Sequence, residues 1–263
     1  MDYSPIINEV LKMLYWLVPI MLVLAFFAFR ALLRSPSFKG KRGEASVKVA
    51  AWLHLPSKTY HPLHNVTLPT PDGTTQIDHI FVSCFGIFVV ETKNMKGWIF
   101  GEKNEKQWTQ KFFKKTFTFQ NPLRQNYKHV KMLEALLGVR STVIHSVVVF
   151  VGDSTFKSPI PDNVTCRRGY ITYIKSFRKK VLSAAQVQKV VARIQSSRLT
   201  PSRKTDRQHV QQLKKRFHPN TEKKCRKCGE PMVLRTAQRG SNAGKQFWGC
   251  SAYPECRMVQ NIT

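Results

Sequence analysis

Apolar and polar positions follow three different patterns along the chain. From residue 13 to residue 29 no side chain is charged, and Val10, Leu11 and residues 31–33 extend the apolar block. It reaches about 20 residues, enough to cross a bilayer as a helix. From residue 44 to residue 194 the pattern alternates between short apolar runs and amphipathic stretches of helical period. After residue 196 the chain turns polar and basic, with aromatic residues returning near the C-terminus.

The middle region is organised around one hairpin. Gly86-Ile87-Phe88-Val89-Val90 is a nearly continuous apolar run, the mark of a strand buried on both faces. The stretch 76–83 before it pairs antiparallel across Phe85-Gly86. Upstream, Val47, Ala50 or Ala51, and Leu53 recur at helical spacing, so a short helix is expected from Gly43-Glu44 onward, with residues 35–43 as a linker. Residues 60–69 read as an irregular first strand and Pro71-Asp72-Gly73 as a turn. Another strand is expected over 97–101. A strand pair over 108–119 carries basic residues between its aromatics. Asn121 caps a helix with Pro122 at its first position and Gly138 at its stop. The stretch 145–151 is a buried strand, 164–174 holds one or two short strands, and Ser183 caps a helix to Ile194. This order predicts an α/β fold around a mixed sheet. Four segments follow: an anchor over 1–34, an α/β domain over 35–195, a basic linker over 196–224 and a small module over 225–263.

Charge changes this picture. Lys and Arg number 43 against 15 Asp and Glu, a formal charge of +28. Such an excess attracts polyanions, either nucleic acid or an anionic membrane face. Tyr15 and Trp16 mark one end of the apolar block, and Arg30, Arg34, Lys39, Lys41 and Arg42 follow it. The positive-inside bias orients it as a single-pass anchor in a bacterial inner membrane, with the N-terminus outside and the bulk cytoplasmic. A cleaved signal peptide fits less well, because the segment before the block is not basic and no small-residue cleavage site follows.

The hairpin carries the candidate chemistry. Glu91 and Lys93 lie two apart on an extended chain and leave the same face. Asp78, at the start of the partner strand, comes near Glu91. Two carboxylates and an ammonium at the end of a buried hairpin can hold Mg2+, with a backbone carbonyl such as that of Thr92 completing the oxygen set. Phosphodiester hydrolysis needs charge against the phosphate and an activated water, and such a cation supplies both. The competing reading is a structural ion pair. Glu44 either complements its helix dipole or points at the site. His79 faces away from Asp78. His129, four residues after Gln125, shares its helix face and either reaches the site or faces solvent.

Gly43-Glu44, Gln76-Ile77-Asp78-His79-Ile80, Val89-Val90-Glu91-Thr92-Lys93 and Asn121-Pro122-Leu123-x-Gln125 together resemble the nuclease-related domain, NERD, which is similar to PD-(D/E)xK nucleases. The resemblance spans residues 41–194. It implies a restriction-endonuclease-like core in which Asp78 and Glu91 bind Mg2+ and Lys93 orients or activates water. Glu44 and Gln125 would be accessory catalytic residues. Ile77 stands where the superfamily motif has Pro, a position without a metal-binding role.

In the linker, residues 206–217 form either a helix, with Val210, Leu213 and Phe217 as a thin apolar stripe, or a solvated basic segment. Cys225-x2-Cys228-Gly229, then Cys250 and Cys256, present two thiolate pairs suited to tetrahedral Zn2+. Two disulfides are the alternative. Cys84 and Cys166 stand alone. Strands are expected over 232–235 and 245–249. The string resembles the C-terminal four-Cys fingers of bacterial type IA topoisomerases. This implies binding of single-stranded DNA through Arg235, Arg239, Lys245, Phe247, Trp248 and Tyr253, the stacking-plus-charge set that such binding uses. Strand passage is not expected, because the chain has no room for a topoisomerase catalytic domain.

Overall fold

The computed structural model describes the chain except residues 1–2, 71–72, 201, 203–204, 206–209, 212–222, 226, 239–242, 245 and 262–263. It comprises two compact units, residues 1–201 and 202–263.

The first unit begins with helix α1 (Ser4–Arg34). Its stretch Tyr15–Leu33 is long and apolar enough to cross a membrane, and none of it is buried against the rest of the protein. Helix α2 (Pro36–His54) follows with only Ser35 between. The expected linker over 35–43 is therefore helical. Ser35 accepts a hydrogen bond from the Phe38 amide and Pro36 occupies the first position, so the true start signal lies seven residues before Gly43. Glu44 consequently sits more than two turns inside the helix, where the dipole role has faded.

A five-stranded sheet runs in the order β1 (His61–Thr70), β2 (Gly73–Ser83), β3 (Gly86–Lys93), β7 (Ile144–Phe150), β9 (Val164–Cys166). β1, β2 and β3 are antiparallel, while β3–β7 and β7–β9 are parallel, so the sheet is mixed. β3 is covered on both sides, as its apolar run requires. Ile87 and Val89 pack with Val130 and Leu133 of helix α3 (Pro122–Leu137) and Val187, Val190 and Ile194 of helix α5 (Ala184–Ser197). Phe88 and Val90 pack with Val47 and Ala51 of α2 and Tyr170 and Ile174 of helix α4 (Gly169–Ser176). The expected caps form: Asn121 accepts from the Leu123 amide, Gly138 is left-handed, and Ser183 makes a full capping box with Gln186. The region 164–174 departs from expectation: β9 is one short strand, and the rest is α4. Its Tyr-Ile-Thr-Tyr-Ile sequence favours strand locally, but Tyr170, Ile171 and Ile174 fall on one helical face and fill the core. A second sheet, β6 (Lys115–Gln120), β5 (Gln107–Phe112), β4 (Gly97–Phe100), β8 (Ser154–Phe156), buries Trp108 and Ile99.

His64 and His79 face each other across β1 and β2, with their Nδ1 atoms 2.9 Å apart. One must donate and the other accept, so the two rings cannot both be fully protonated there. Burial pushes His79 down to about 3 and His64 to about 4, with the Lys48 charge adding to both and His64 itself adding to His79. Folded values below the unfolded value mean that the unfolded chain takes up protons first as pH falls. Stability is therefore lost as pH falls from about 6.5, down to about pH 4 for half-buried His64 and about pH 3 for fully buried His79, at a slope approaching about 1.4 kcal/mol per pH unit for His79 and less for His64. The urea midpoint in detergent should be lower at pH 5 than at pH 7; an unchanged midpoint contradicts the pairing.

The second unit is a small antiparallel sheet, β10 (Lys223–Lys224), β11 (Pro231–Thr236), β12 (Gln246–Cys250), β13 (Val259–Asn261). β11 and β12 are the two strands expected there. Among the described residues its apolar core is Cys225, Met232, Cys250 and Cys256, with Trp248, Ala252 and Met258 against them. Most of the basic stretch 206–217 lies outside the described residues.

Candidate active site and zinc centre

The hairpin register sets the site. His79 pairs with Val90, which puts Asp78 and Glu91 side by side at the open end of β2 and β3. Asp78 accepts a hydrogen bond from the Thr92 amide at 2.8 Å. Glu91 is 3% exposed and Lys93 20%. The Lys93 ammonium donates to Glu91 Oε1 at 2.7 Å and to Gln125 Oε1 at 2.9 Å. From α3, one turn beyond Gln125, His129 places Nε2 3.7 Å from Glu91 Oε2, while its Nδ1 meets the Thr75 hydroxyl at 3.1 Å. His129 therefore reaches the site rather than solvent.

The electrostatics separate the two acids. Burial raises the Asp78 carboxyl well above its ordinary value, and the neighbouring Glu91 and Glu44 charges push the same way. Burial would also raise Glu91, but the Lys93 ammonium and His129 outweigh it and hold that carboxyl low. Glu44 thus acts on Asp78 through space from the middle of α2. Glu91 Oε2 and His129 Nε2 are both buried without a hydrogen-bond partner among the described residues. An anionic oxygen whose near neighbour, His129 Nε2, stands at 3.7 Å, beyond hydrogen-bond distance, and which lies beside a second carboxyl, is an arrangement that a divalent cation would complete, so these residues fit the Mg2+ expected there.

In the second unit the four Sγ atoms of Cys225, Cys228, Cys250 and Cys256 lie within 4.8 Å of one another. Cys225 and Cys256 are 3.6 Å apart, and Cys228 and Cys250 3.4 Å. A disulfide needs about 2.05 Å, whereas zinc–sulfur bonds of about 2.3 Å put tetrahedral thiolates about 3.8 Å apart. All four cysteines are free thiols, and the cluster fits Zn2+. Backbone amides of Cys228 and Lys227 pull the Cys225 thiol down to about 6, which readies a thiolate for metal. Gly229 takes a left-handed φ of 81° to close the knuckle. Of the expected DNA-contacting residues, Tyr253 is exposed with the Arg235 guanidinium over its ring at 5.6 Å, and Phe247 and Trp248 are half-buried. Trp248 packs on the cysteine cluster, so part of the aromatic set is core. Arg239 and Lys245 lie outside the described residues.

Comparison with known proteins matches residues 39–151 to the nuclease-related domain and residues 222–263 to the topoisomerase DNA-binding C4 zinc finger. An uncharacterised protein of Bacillus anthracis is 42% identical over 154 residues, covering 58% of this chain and 70% of that protein. The chain belongs to the nuclease-related domain family. No solved structure matches it. Glu44, Asp78, Glu91, Lys93, Gln125 and His129 all fall within the NERD match.

Asn126 and Thr75 carry no signal in the sequence. Asn126 is fully buried and donates to the Val89 carbonyl at 2.8 Å, Ser146 Oγ at 2.9 Å and the Val147 carbonyl at 3.1 Å. It pins α3 of the NERD domain to β3 and β7, which fixes where its neighbours Gln125 and His129 point. Asn126→Leu strands buried acceptors at about 1–3 kcal/mol each, so a loss of about 3 kcal/mol is expected in chemical denaturation. A loss below about 1 kcal/mol would show that α3 is held by its apolar face alone.

Proposed function

We propose that this protein is a membrane-tethered, cytoplasm-facing DNA-processing protein whose NERD domain hydrolyses DNA phosphodiester bonds with Mg2+. One arrangement carries this reading: a half-buried Asp78 and a buried Glu91 side by side with opposed protonation tendency, and Lys93 held between Glu91 and Gln125. Asp78 and Glu91 would hold the cation, which when bound supplies positive charge against the phosphate and acidifies a water. The chain's own groups do the rest. Gln125 and Glu91 fix the Lys93 ammonium at the mouth of the site, where it can orient the attacking water and meet a phosphate oxygen. His129, oriented by Thr75, holds Glu91 ionised. Glu44 raises the density of negative charge that draws the cation in.

The zinc ribbon would bring the substrate. Arg235 stacked on exposed Tyr253 offers one flat, charged platform, a contact suited to unpaired bases. The apolar helix Tyr15–Leu33, with Arg30 in its last turn and Arg34, Lys39, Lys41 and Arg42 after it, would keep the NERD domain and the zinc ribbon on the cytoplasmic side of the inner membrane. A second reading has its own support: Lys93 is already neutralised by Glu91, as in a retained structural pair, which would make the protein a DNA-binding tether that does not cut. The two readings separate in an assay of single-stranded, nicked and duplex DNA with Mg2+ and after chelation. The catalytic reading expects chelatable cleavage of at least one substrate, and the tether reading expects intact DNA throughout.

A further inference from the structure

The hairpin β5–β6 carries an exposed aromatic tip that the active site does not use. Phe113 is 84% exposed, Phe117 50% and Phe112 38%. They are interleaved with Lys111, Lys114 and Lys115. The closing pair is Phe112–Lys115, so Phe113 is the first central residue of a two-residue turn. Its φ is 52°, a left-handed conformation that glycine or asparagine adopts at less cost. A large aromatic therefore occupies a position that packing does not require and the backbone disfavours. Such a residue is free to act on what it meets outside the fold.

The location says what that is. The tip lines an open groove of about 1410 Å³ whose lining also includes Leu33, the last residue of the apolar span, and Lys39 and Arg42 of α2. Aromatics among lysines, sharing one groove with the end of the apolar span, form the composition of an interfacial contact: rings settle at the headgroup boundary and ammonium groups meet anionic lipid. Trp98 lies next to the tip, paired with Lys111 and carrying the Lys157 ammonium at 4.9 Å from its ring. A nucleic acid in the same groove would have to lie along an anionic bilayer surface, which repels it.

We propose that the β5–β6 tip is a second membrane contact, which docks on anionic phospholipid and holds the NERD domain against the bilayer. The inference rests on the reading of Tyr15–Leu33 as a membrane anchor. It is tested by hydrogen–deuterium exchange of the full chain in nanodiscs of phosphatidylcholine alone or with phosphatidylglycerol. Amides in residues 107–120 should exchange about tenfold more slowly in the phosphatidylglycerol discs. The slowing should vanish in Phe113→Gly, which relieves the turn, and in the pair Lys114→Glu and Lys115→Glu. Equal exchange in both discs, or slowing that survives these substitutions, overturns the proposal. So does protection of the same amides by a single-stranded oligonucleotide in phosphatidylcholine discs, which would make the tip a nucleic-acid contact. Free exchange of residues 15–33 in both discs would instead remove the anchor itself, a result read separately from the hairpin.

Discussion

Cys250→Ser is expected to release the zinc and unfold the C-terminal unit while leaving the NERD domain folded. The unit has little interior to stand on without metal: among the described residues its apolar core is closed by Met232 and the three buried cysteines Cys225, Cys250 and Cys256. Domains this small bury too little apolar surface to offset chain entropy. Four thiolates on one zinc supply about 10–16 kcal/mol of folding free energy near neutral pH, and loss of one ligand forfeits much of it. Cys250 is central because it sits between two jobs. Its sulfur lies beside that of Cys228, and its amide donates to the Met258 carbonyl as β12 ends. Metal analysis should fall from one zinc per chain to none, with proteolysis opening residues 223–261. Binding to single-stranded DNA should weaken together with this loss. Full zinc content in Cys250→Ser would contradict the four-cysteine centre.

Lys93→Ala is expected to lower DNA cleavage by about 10²–10⁴-fold, the usual contribution of a positioned proton-transfer or water-orienting group. The loss should not be reproduced by Gln125→Ala, which removes one hydrogen bond to the ammonium and should cost about tenfold. Lys93→Arg should rescue poorly, because a planar fork cannot occupy the point between Glu91 and Gln125. Lys93→Ala also leaves Glu91 buried without its ammonium, a change worth about 3–5 kcal/mol in stability. Cleavage must therefore be measured below the variant's melting transition. Equal rates for Lys93→Ala and wild type, with the fold intact, would assign Lys93 to structure alone.

What could be read from the sequence differs by element. The hairpin was legible because an apolar run ending in Glu-x-Lys conflicts with burial on both faces, and that conflict marks a site. The caps at Asn121, Gly138 and Ser183 were legible because each rests on one local hydrogen bond or one left-handed residue. The start of α2 was hidden: Gly40 and Gly43 suggested a linker and masked the Ser35-Pro36 signal. α4 was hidden for the opposite reason, since its β-branched and aromatic residues favour strand and only tertiary packing makes them a helix face. Asn126, Thr75 and the meeting of His129 with Glu91 depend on contacts between distant segments and leave no periodic trace. The zinc centre needed the least structure, because the cysteine spacing alone contains the ligand set.

Whether the hairpin cuts DNA is decided by one comparison. Wild-type chain and Glu91→Ala are incubated with labelled DNA in Mg2+, at a temperature where both are folded. The prediction is strand cleavage by the wild type, abolished by chelation and reduced at least about a thousandfold in Glu91→Ala. Intact DNA with the wild type, or equal cleavage by the variant, would contradict it.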